Sequence, residues 1–256
     1  MDAVFLLNQM TTFALVLLRV IGILSVGMPF GSPFLPAITR VLIALGVAMV
    51  LVPLVEVWPG GDGWAFAMAG AVELATGLAI GLMSILLFLA VQGAGDLIDI
   101  EMGFGMVHVI DPQFGQPVPL MGTFLYIVAV IMFLTFDGHH HLLRALADSF
   151  QVIPPGTVNW NDSAFATAAD HFGWVIVTAL RLALPVLGLL FLTNVMFAIL
   201  ARTMPQLHVL VVGMPAKIAV GMIGMLLTLP ALKTMVEQEW LLSLNTMVDF
   251  IRALVP

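Results

Sequence analysis

The sequence predicts an all-α integral membrane protein with about six long hydrophobic helices. Of its 256 residues, 61% are hydrophobic and only 9% are charged, whereas soluble domains average about 25% charged residues. The mean hydropathy is +1.13. Most of the apolar runs reach the roughly 20 residues that cross a bilayer as a helix. These runs cover residues 3–30, 37–55, 64–91, 120–136, 172–201 and 207–232.

Composition excludes several classes of function. The chain contains no cysteine, which removes disulfides, thiolate metal sites and cysteine nucleophiles. The net charge is −7 and the eight basic residues are scattered, whereas nucleic-acid binding needs clustered Lys and Arg. No basic residue precedes the first apolar run, which is also too long for the core of a signal peptide. We therefore expect a retained first helix and no nucleic-acid partner.

Two polar stretches, 96–119 and 139–171, interrupt the apolar runs. In the second stretch, apolar residues recur at helical spacing over 142–150. The Pro154-Pro155-Gly156 sequence is expected to end that helix. A polar cap sequence then precedes a further predicted helix over 164–170.

Three basic residues lie inside or against apolar runs: Arg19, Arg181 and Lys217. A lipid-facing charge costs at least about 2.5 to 3.5 kcal/mol, so we expect these side chains to face protein or water. Glu73 is the one acid inside a run. Most of the acidic partners are therefore expected to come from other chains, which indicates a subunit of an assembly.

Small residues on one helix favour close helix packing. Gly70, Gly77 and Gly81 share a face, and Gly77 and Gly81 form a GxxxG pair. Such pairs let helix backbones approach closely, either within one chain or in a homodimer. Packing within the chain is the favoured interpretation because small residues are general at membrane helix interfaces.

Prolines interrupt two otherwise apolar zones, 28–40 and 202–217. Each proline removes a helical backbone hydrogen bond, which predicts bent helical hairpins. Broken backbone at membrane depth is tolerated only inside protein or beside a wet cavity. The first zone is therefore either a turn outside the membrane or part of an assembled wall.

Three motifs in these zones and between them carry a resemblance to a known family. The C-terminal motif is Pro205-Gln206 followed by Gly213-x-Pro215-x-Lys217. The N-terminal motif consists of Arg19, Gly22, Pro29, Pro33, Pro36 and Arg40, followed by an apolar run that ends at Pro53. The middle motif is Asp137-Gly138-His139-His140 before Ser149-Phe150 and Pro154. Together they resemble the FliR/SctT family of type III secretion export-gate proteins over about residues 10–235.

The resemblance implies a structural subunit of a closed helical gate in the bacterial inner membrane, at the flagellar basal body. Members of the family assemble with FliP and FliQ, associate with FlhB and pass unfolded substrate proteins. A FliR chain is similar to FliP and FliQ joined together. The resemblance thus implies a FliP-like part over 1–171 and a FliQ-like hairpin over 172–235. Apolar residues that share one helical face predict an amphipathic C-terminal helix over 236–256. The residues expected at assembly contacts and helix breaks are Arg19, Pro29, Pro33, Pro36, Arg40, Arg181, Pro205, Gln206, Pro215 and Lys217.

The sequence departs from the family pattern at two positions. Asp137 stands where a second glycine is common, and His208 stands where Asn is usual. The Asp-Gly-His-His and Pro-Pro-Gly elements resemble the flagellar members more than those of injectisomes.

The loop over 101–119 is a candidate gate. Large apolar side chains alternate there with glycines between acidic ends. Glycine gives a backbone freedom, and methionine adapts its shape to what touches it. From composition alone, simple packing of a re-entrant loop is the favoured interpretation, but the family is similar in having a plug in this loop. The expected plug residues are Met102, Phe104, Met106, Val107 and Phe114.

Other constellations do not predict chemistry. His139, His140 and His141 lie near Asp137, but three adjacent histidines are expected to point in different directions, so no metal site is predicted. No nucleophile, phosphate-loop or metalloprotease motif occurs, and we expect neither enzymatic activity nor a cofactor. The alternative function is a small-solute or ion transporter that works alone, with charges near the midplane binding its substrate.

Overall fold

The computed structural model describes residues 3–27, 31, 36–104, 119–204 and 209–255. Within these ranges the chain forms seven α-helices and no strand, which confirms the predicted all-α class. A 3₁₀ turn, Val52–Leu54, follows the second helix. The helices are α1 (Ala3–Val26), α2 (Ala37–Leu51), α3 (Gly63–Met102), α4 (Leu120–Thr135), α5 (Gly138–Val152), α6 (Asp162–Thr203) and α7 (Val209–Ala253).

Five of the described helices are long and apolar enough to cross a membrane, and six spans result if α4 and α5 count as one broken span. The axes of α4 and α5 differ by 68°. This number of spans confirms the prediction of about six hydrophobic helices. Three of the helices have 40, 42 and 45 residues, which correspond to about 60 to 68 Å at about 1.5 Å per residue. Each is about twice as long as the hydrocarbon core of a bilayer, which is about 30 Å thick.

The chain divides into two compact units. Unit 1 comprises Met1–Leu86, Phe133–Phe172 and Leu241–Pro256, and unit 2 comprises Leu87–Met132 and Gly173–Trp240. Both units are therefore built from segments that are distant in sequence, and each depends on tertiary contacts between helices.

Within unit 1, glycines allow α1 and α3 to pack backbone against backbone. A Cβ atom on Gly22 would lie 2.7 Å from the carbonyl oxygen of Leu74, and one on Gly81 would lie 2.7 Å from that of Ile23. A Cβ atom on Gly77 would collide with the carbonyl oxygen of Arg19. The GxxxG face is thus occupied by α1 of the same chain, which confirms the interpretation of packing within the chain.

A Gly77→Ala substitution is expected to destabilise the protein by about 1–3 kcal/mol, because an extra methyl group in a packed contact forces the backbones apart. Gly46 in α2 provides the matched control, since a Cβ atom there would meet nothing within 4 Å. Gly46→Ala is expected to be neutral or to stabilise by up to about 1 kcal/mol through helix propensity. Unfolding of both variants in mixed micelles measures the difference. Equal effects of the two substitutions would contradict the proposed tightness of the contact.

The helix ends follow the local sequence signals only in part. The amphipathic helix α5 ends at Val152, directly before the Pro154-Pro155-Gly156 turn, as predicted. The carboxamide oxygen of Asn161 accepts a hydrogen bond from the N–H of Ala164 at 3.0 Å and caps α6. The predicted helix over 164–170 is not separate, because α6 continues unbroken to Thr203.

The predicted proline breaks fall into three groups. Pro36 precedes the first residue of α2 and has an extended conformation. Pro215 lies inside α7 and does not end that helix. The remaining predicted break residues, Pro29, Pro33, Pro205 and Gln206, lie outside the described residues, as does His208.

Candidate functional site

The polar centre of unit 1 is a buried ion pair between α1 and α3. Arg19 and Glu73 are both fully buried. The guanidinium makes two parallel contacts with the carboxylate, Nε to Oε2 at 2.5 Å and Nη2 to Oε1 at 3.0 Å. Such two-pronged pairs are among the strongest charge-assisted hydrogen bonds. Arg19 therefore faces protein, as the sequence predicts.

The same ion pair also holds the end of α5. The Nη1 group of Arg19 donates to the carbonyl oxygen of Ser149 and Nη2 donates to that of Ile153, both at 3.1 Å. The guanidinium carbon lies 4.2 Å from the ring centre of Phe150, within the range of a cation–π interaction. The Ser149 carbonyl also accepts a hydrogen bond from the backbone N–H of Ile153 at 2.9 Å, and Ile153 is the C-cap residue of α5. Arg19 thus adds a charged donor to both carbonyls at the end of α5 while its own charge is neutralised.

Glu73 extends the network to the turn after α5. Its Oε1 accepts a hydrogen bond from the N–H of Gly156 at 2.8 Å. Gly156 has a φ of +80° and lies so close to Trp58 that a Cβ atom would be 2.7 Å from the indole nitrogen. The backbone N–H of Trp58 donates a hydrogen bond to the hydroxyl of Thr12 at 2.9 Å. One carboxylate therefore positions the Pro-Pro-Gly turn that the sequence predicts.

Arg181 and Lys217 of unit 2 have acidic partners within the chain. The Arg181 guanidinium lies 3.8 Å from Glu239, and the Lys217 ammonium lies 4.0 Å from Glu101. The expectation that most partners come from other chains is therefore wrong. The helices are longer than the apolar runs, since α3 continues to Met102 and α7 to Ala253. Glu101 and Glu239 therefore lie on helices, beside the basic groups.

Further polar groups reinforce both ion pairs. The indole N–H of Trp174 donates to Glu239 at 2.8 Å, and the side-chain amide of Asn194 donates to Glu101. Arg181 is 60% exposed on its side chain and Lys217 is 26% exposed. Exposed pairs contribute little to stability, so the Arg181 pair is better suited to orienting α6 and α7 than to stabilising them.

The last turn of α3 has a defined stop. Met102 is fully buried, and it packs so closely on Gly221 that a Cβ atom there would lie 2.7 Å from its sulfur. Gly103 has a φ of +88°. The N–H of Gly103 donates to Ile100 and that of Phe104 donates to Asp99. This pair of hydrogen bonds is the Schellman motif, which ends a helix with a left-handed glycine.

Asp99 holds both ends of the segment between α3 and α4. Its carbonyl oxygen accepts from Phe104 at 3.2 Å. Its side-chain Oδ2 accepts from the N–H groups of Met121 at 2.9 Å and Gly122 at 3.1 Å, in the first turn of α4. These N–H groups have no partner inside the helix, and a carboxylate there also complements the helix dipole. Asp99, which is only 4% exposed, therefore bonds both to Phe104, before residues 105–118, and to the first turn of α4, after them.

A cavity of about 500 Å³ lies beside this stop. It combines the Glu101–Lys217 ion pair with an apolar wall from α6. Its lining residues are Ile100, Glu101, Met102, Gly103, Asn194, Phe197, Ala198, Ala201, Gly213, Met214 and Lys217.

The structure describes two of the five predicted plug residues, Met102 and Phe104. Met102 is on α3, where its side chain fills a helix contact. Phe104 follows the glycine stop and is half-buried. Met106, Val107 and Phe114 lie outside the described residues. Arg40, also predicted, is half-buried in the first turns of α2.

Sequence reasoning missed the acceptors that organise both units. The polar stretch 96–119 predicts a loop at Asp99 and Glu101, whereas both lie on α3. Ser149 and Ile153 act through backbone atoms that no side-chain pattern reveals. The spacing of Asp99 and Met102 on the face that continues α3 is the available signal. The ring centres of His139 and His140 lie 4.2 Å apart, so these two side chains do not diverge as expected.

The described residues define an all-α membrane protein in which Arg19, Arg181 and Lys217 pair with acids of the same chain and whose longest helices exceed the bilayer. The sequence model of the bacterial export proteins, family 1, matches residues 10–242. The chain belongs to this family.

Several curated relatives carry the name flagellar biosynthetic protein FliR. The protein from Bacillus subtilis is 33% identical over 94% of this chain and 95% of its own length. The protein from Pectobacterium carotovorum is 32% identical over 91% of this chain and 89% of its own length. The protein from Escherichia coli is 27% identical over 93% and 92%, respectively.

Proposed function

We propose that the chain is a structural subunit of a flagellar protein-export gate in the bacterial inner membrane. In this proposal it assembles with FliP-like and FliQ-like subunits and an FlhB-like protein around a closed channel for unfolded proteins. The observation that carries the proposal is the nearly complete two-way coverage with the Bacillus subtilis protein, 94% of this chain and 95% of that one. Such coverage leaves no large domain of either chain without a counterpart.

The plug assigned to residues 101–119 is supported by the geometry of its base. Asp99 and Gly103 fix where the segment begins, and the Asp99 carboxylate fixes the first turn of α4 where it ends. A gate needs a fixed frame if its central residues are to return to one resting position. Apolar side chains in such a frame close a pore by excluding water and ions.

Unburied apolar faces support an assembly. In the most apolar stretch of each span, 17% is buried for α2 and 22% for α7, compared with 61% for α3. Lipid covers at most about 30 Å of a helix, whereas α7 is about 68 Å long at about 1.5 Å per residue. The apolar faces beyond the bilayer therefore need protein neighbours, which the FliP-like and FliQ-like subunits would supply.

Native mass spectrometry after co-expression with the neighbouring genes tests the assembly. We expect one or few copies of this chain beside several copies of two small helical membrane proteins. A stable monomer or homo-oligomer that forms without them would overturn the gate proposal and favour a transporter that works alone.

Replacing residues 106–115 with a Gly/Ser linker of the same length is expected to leave assembly intact and to raise ion leak through the purified complex. The linker keeps the closed base at Asp99 but removes the apolar side chains that exclude water. Conductance of the reconstituted complex in planar bilayers provides the measurement, with the unaltered complex as control. If the linker complex assembles and stays ion-tight, the plug lies elsewhere in the gate.

A further inference from the structure

The joint between α4 and α5 collects three groups that can ligate a metal ion. One donor atom each from Asp137, His139 and His140 lies within 4.8 Å of the other two. Asp137 has a left-handed backbone with a φ of 54° and immediately precedes α5, whose first turn carries the two histidines. The Asp137 carboxylate thus reaches His140, three residues later, from the position directly before α5.

We propose that Asp137, His139 and His140 form a binding site for a first-row divalent metal ion of the Zn²⁺ class. Imidazole nitrogen and carboxylate oxygen are ligands that zinc commonly takes, and three protein ligands leave a position for water. Softer sites would require thiolates, and the chain contains no cysteine.

The distances fit a coordination sphere after small rotations of side chains. Zinc bonds to nitrogen and oxygen of about 2.0–2.1 Å imply edges of about 3.3 Å in a tetrahedron. His140 Nδ1 and Asp137 Oδ1 are already 3.2 Å apart. The widest donor pair must close by about 1.5 Å to reach such an edge. The side chains of His140 and Asp137 are 69% and 70% exposed, so they are free to make this movement.

His139 supplies an independent reason for a ligand. Its Nδ1 is buried and has no hydrogen-bond partner in the described part of the chain. Buried polar atoms are normally satisfied by protein, water or an ion. A metal ion bound at this nitrogen, or a bound water beside it, would satisfy the group. The contact between His140 Nδ1 and Asp137 Oδ1 does not involve this nitrogen.

The test uses the full chain purified with a tag that contains no histidine, in complex with its partners where they co-purify. Isothermal titration with Zn²⁺ is expected to show one site, and Co²⁺ is expected to give visible absorption bands of low-symmetry coordination. Asp137→Asn, His139→Ala and His140→Ala are each expected to weaken Zn²⁺ binding at least tenfold. Asn tolerates the left-handed backbone at position 137, so that variant removes the charge without disturbing the turn.

His141 is the matched control, because it is an adjacent, exposed histidine outside the cluster. His141→Ala is expected to leave Zn²⁺ affinity unchanged. If His141→Ala weakens binding as much as the cluster variants, the histidines bind an adventitious ion only. Absence of saturable Zn²⁺ binding to a folded, helical wild-type protein would overturn the site. Far-ultraviolet circular dichroism of every variant separates lost binding from lost folding.

Discussion

Replacing Glu73 with alanine is expected to lower the free energy of unfolding by about 3–5 kcal/mol, because removing one partner of a buried ion pair leaves the other charge uncompensated. Arg19 is fully buried, and its remaining acceptors are neutral carbonyl groups of Ser149 and Ile153. The substitution also removes the acceptor for the N–H of Gly156. The substitution therefore breaks three hydrogen bonds, two from Arg19 and one from Gly156.

A double-mutant cycle with Arg19→Met measures the coupling between the two side chains. The double variant is expected to be more stable than Glu73→Ala alone, since replacing both charges with apolar groups avoids an unpaired buried ion. Arg144→Met is the control for a general effect of losing an arginine, because Arg144 is exposed on α5, and exposed substitutions usually change stability by less than about 0.5 kcal/mol. Additive single effects would show that the pair does not act as a unit.

Asp99→Ala is expected to destabilise the protein by about 2–4 kcal/mol. The buried N–H of Gly122 and the part-buried N–H of Met121 lose their acceptor, at about 1–3 kcal/mol each, and recover part of this from water. The substitution is also expected to raise ion leak through the assembled complex, since the first turn of α4 is then no longer joined to α3. Unfolding in mixed micelles and conductance of the reconstituted complex measure the two effects.

Two variants control for the loss of the Asp99 carboxylate. Asp99→Asn keeps an oxygen that can accept from Met121 and Gly122, so it is expected to retain most of the stability. Asp96→Ala removes a carboxylate whose Oδ1 has no hydrogen-bond partner in the described ranges, and it is expected to cost less than Asp99→Ala. If Asp96→Ala and Asp99→Ala are equally destabilising, the hydrogen bonds to α4 do not explain the role of Asp99.

The positions of the helices could be predicted because the length of each apolar run can be counted in the sequence. The six apolar runs mark where helices occur, and the Pro154-Pro155-Gly156 turn marks where α5 ends. Their full extent could not be predicted in this way. Polar residues such as Glu101 and Glu239 continue the helices, since a helix needs apolar surface only where lipid or packing requires it.

The candidate site was predictable in part for a related reason. Arg19 and Glu73 are recognisable because a charge inside an apolar run is rare. Their contacts with the carbonyls of Ser149 and Ile153 are set by tertiary packing between segments more than a hundred residues apart. The contact between Asp137 and His140 likewise starts from a left-handed backbone at Asp137, which residue type alone does not specify.

The order of the contacts around Arg19 bears on how unit 1 is made. Its carboxylate partner follows 54 residues later, but the carbonyl of Ser149 follows 130 residues later. At about 5–20 residues per second of synthesis, roughly 7–26 s separate Arg19 from that carbonyl. During this interval the guanidinium has donors without acceptors, so α1 and α3 form an incomplete hairpin. Biogenesis of unit 1 therefore has to shield a half-satisfied arginine until α5 emerges from the ribosome.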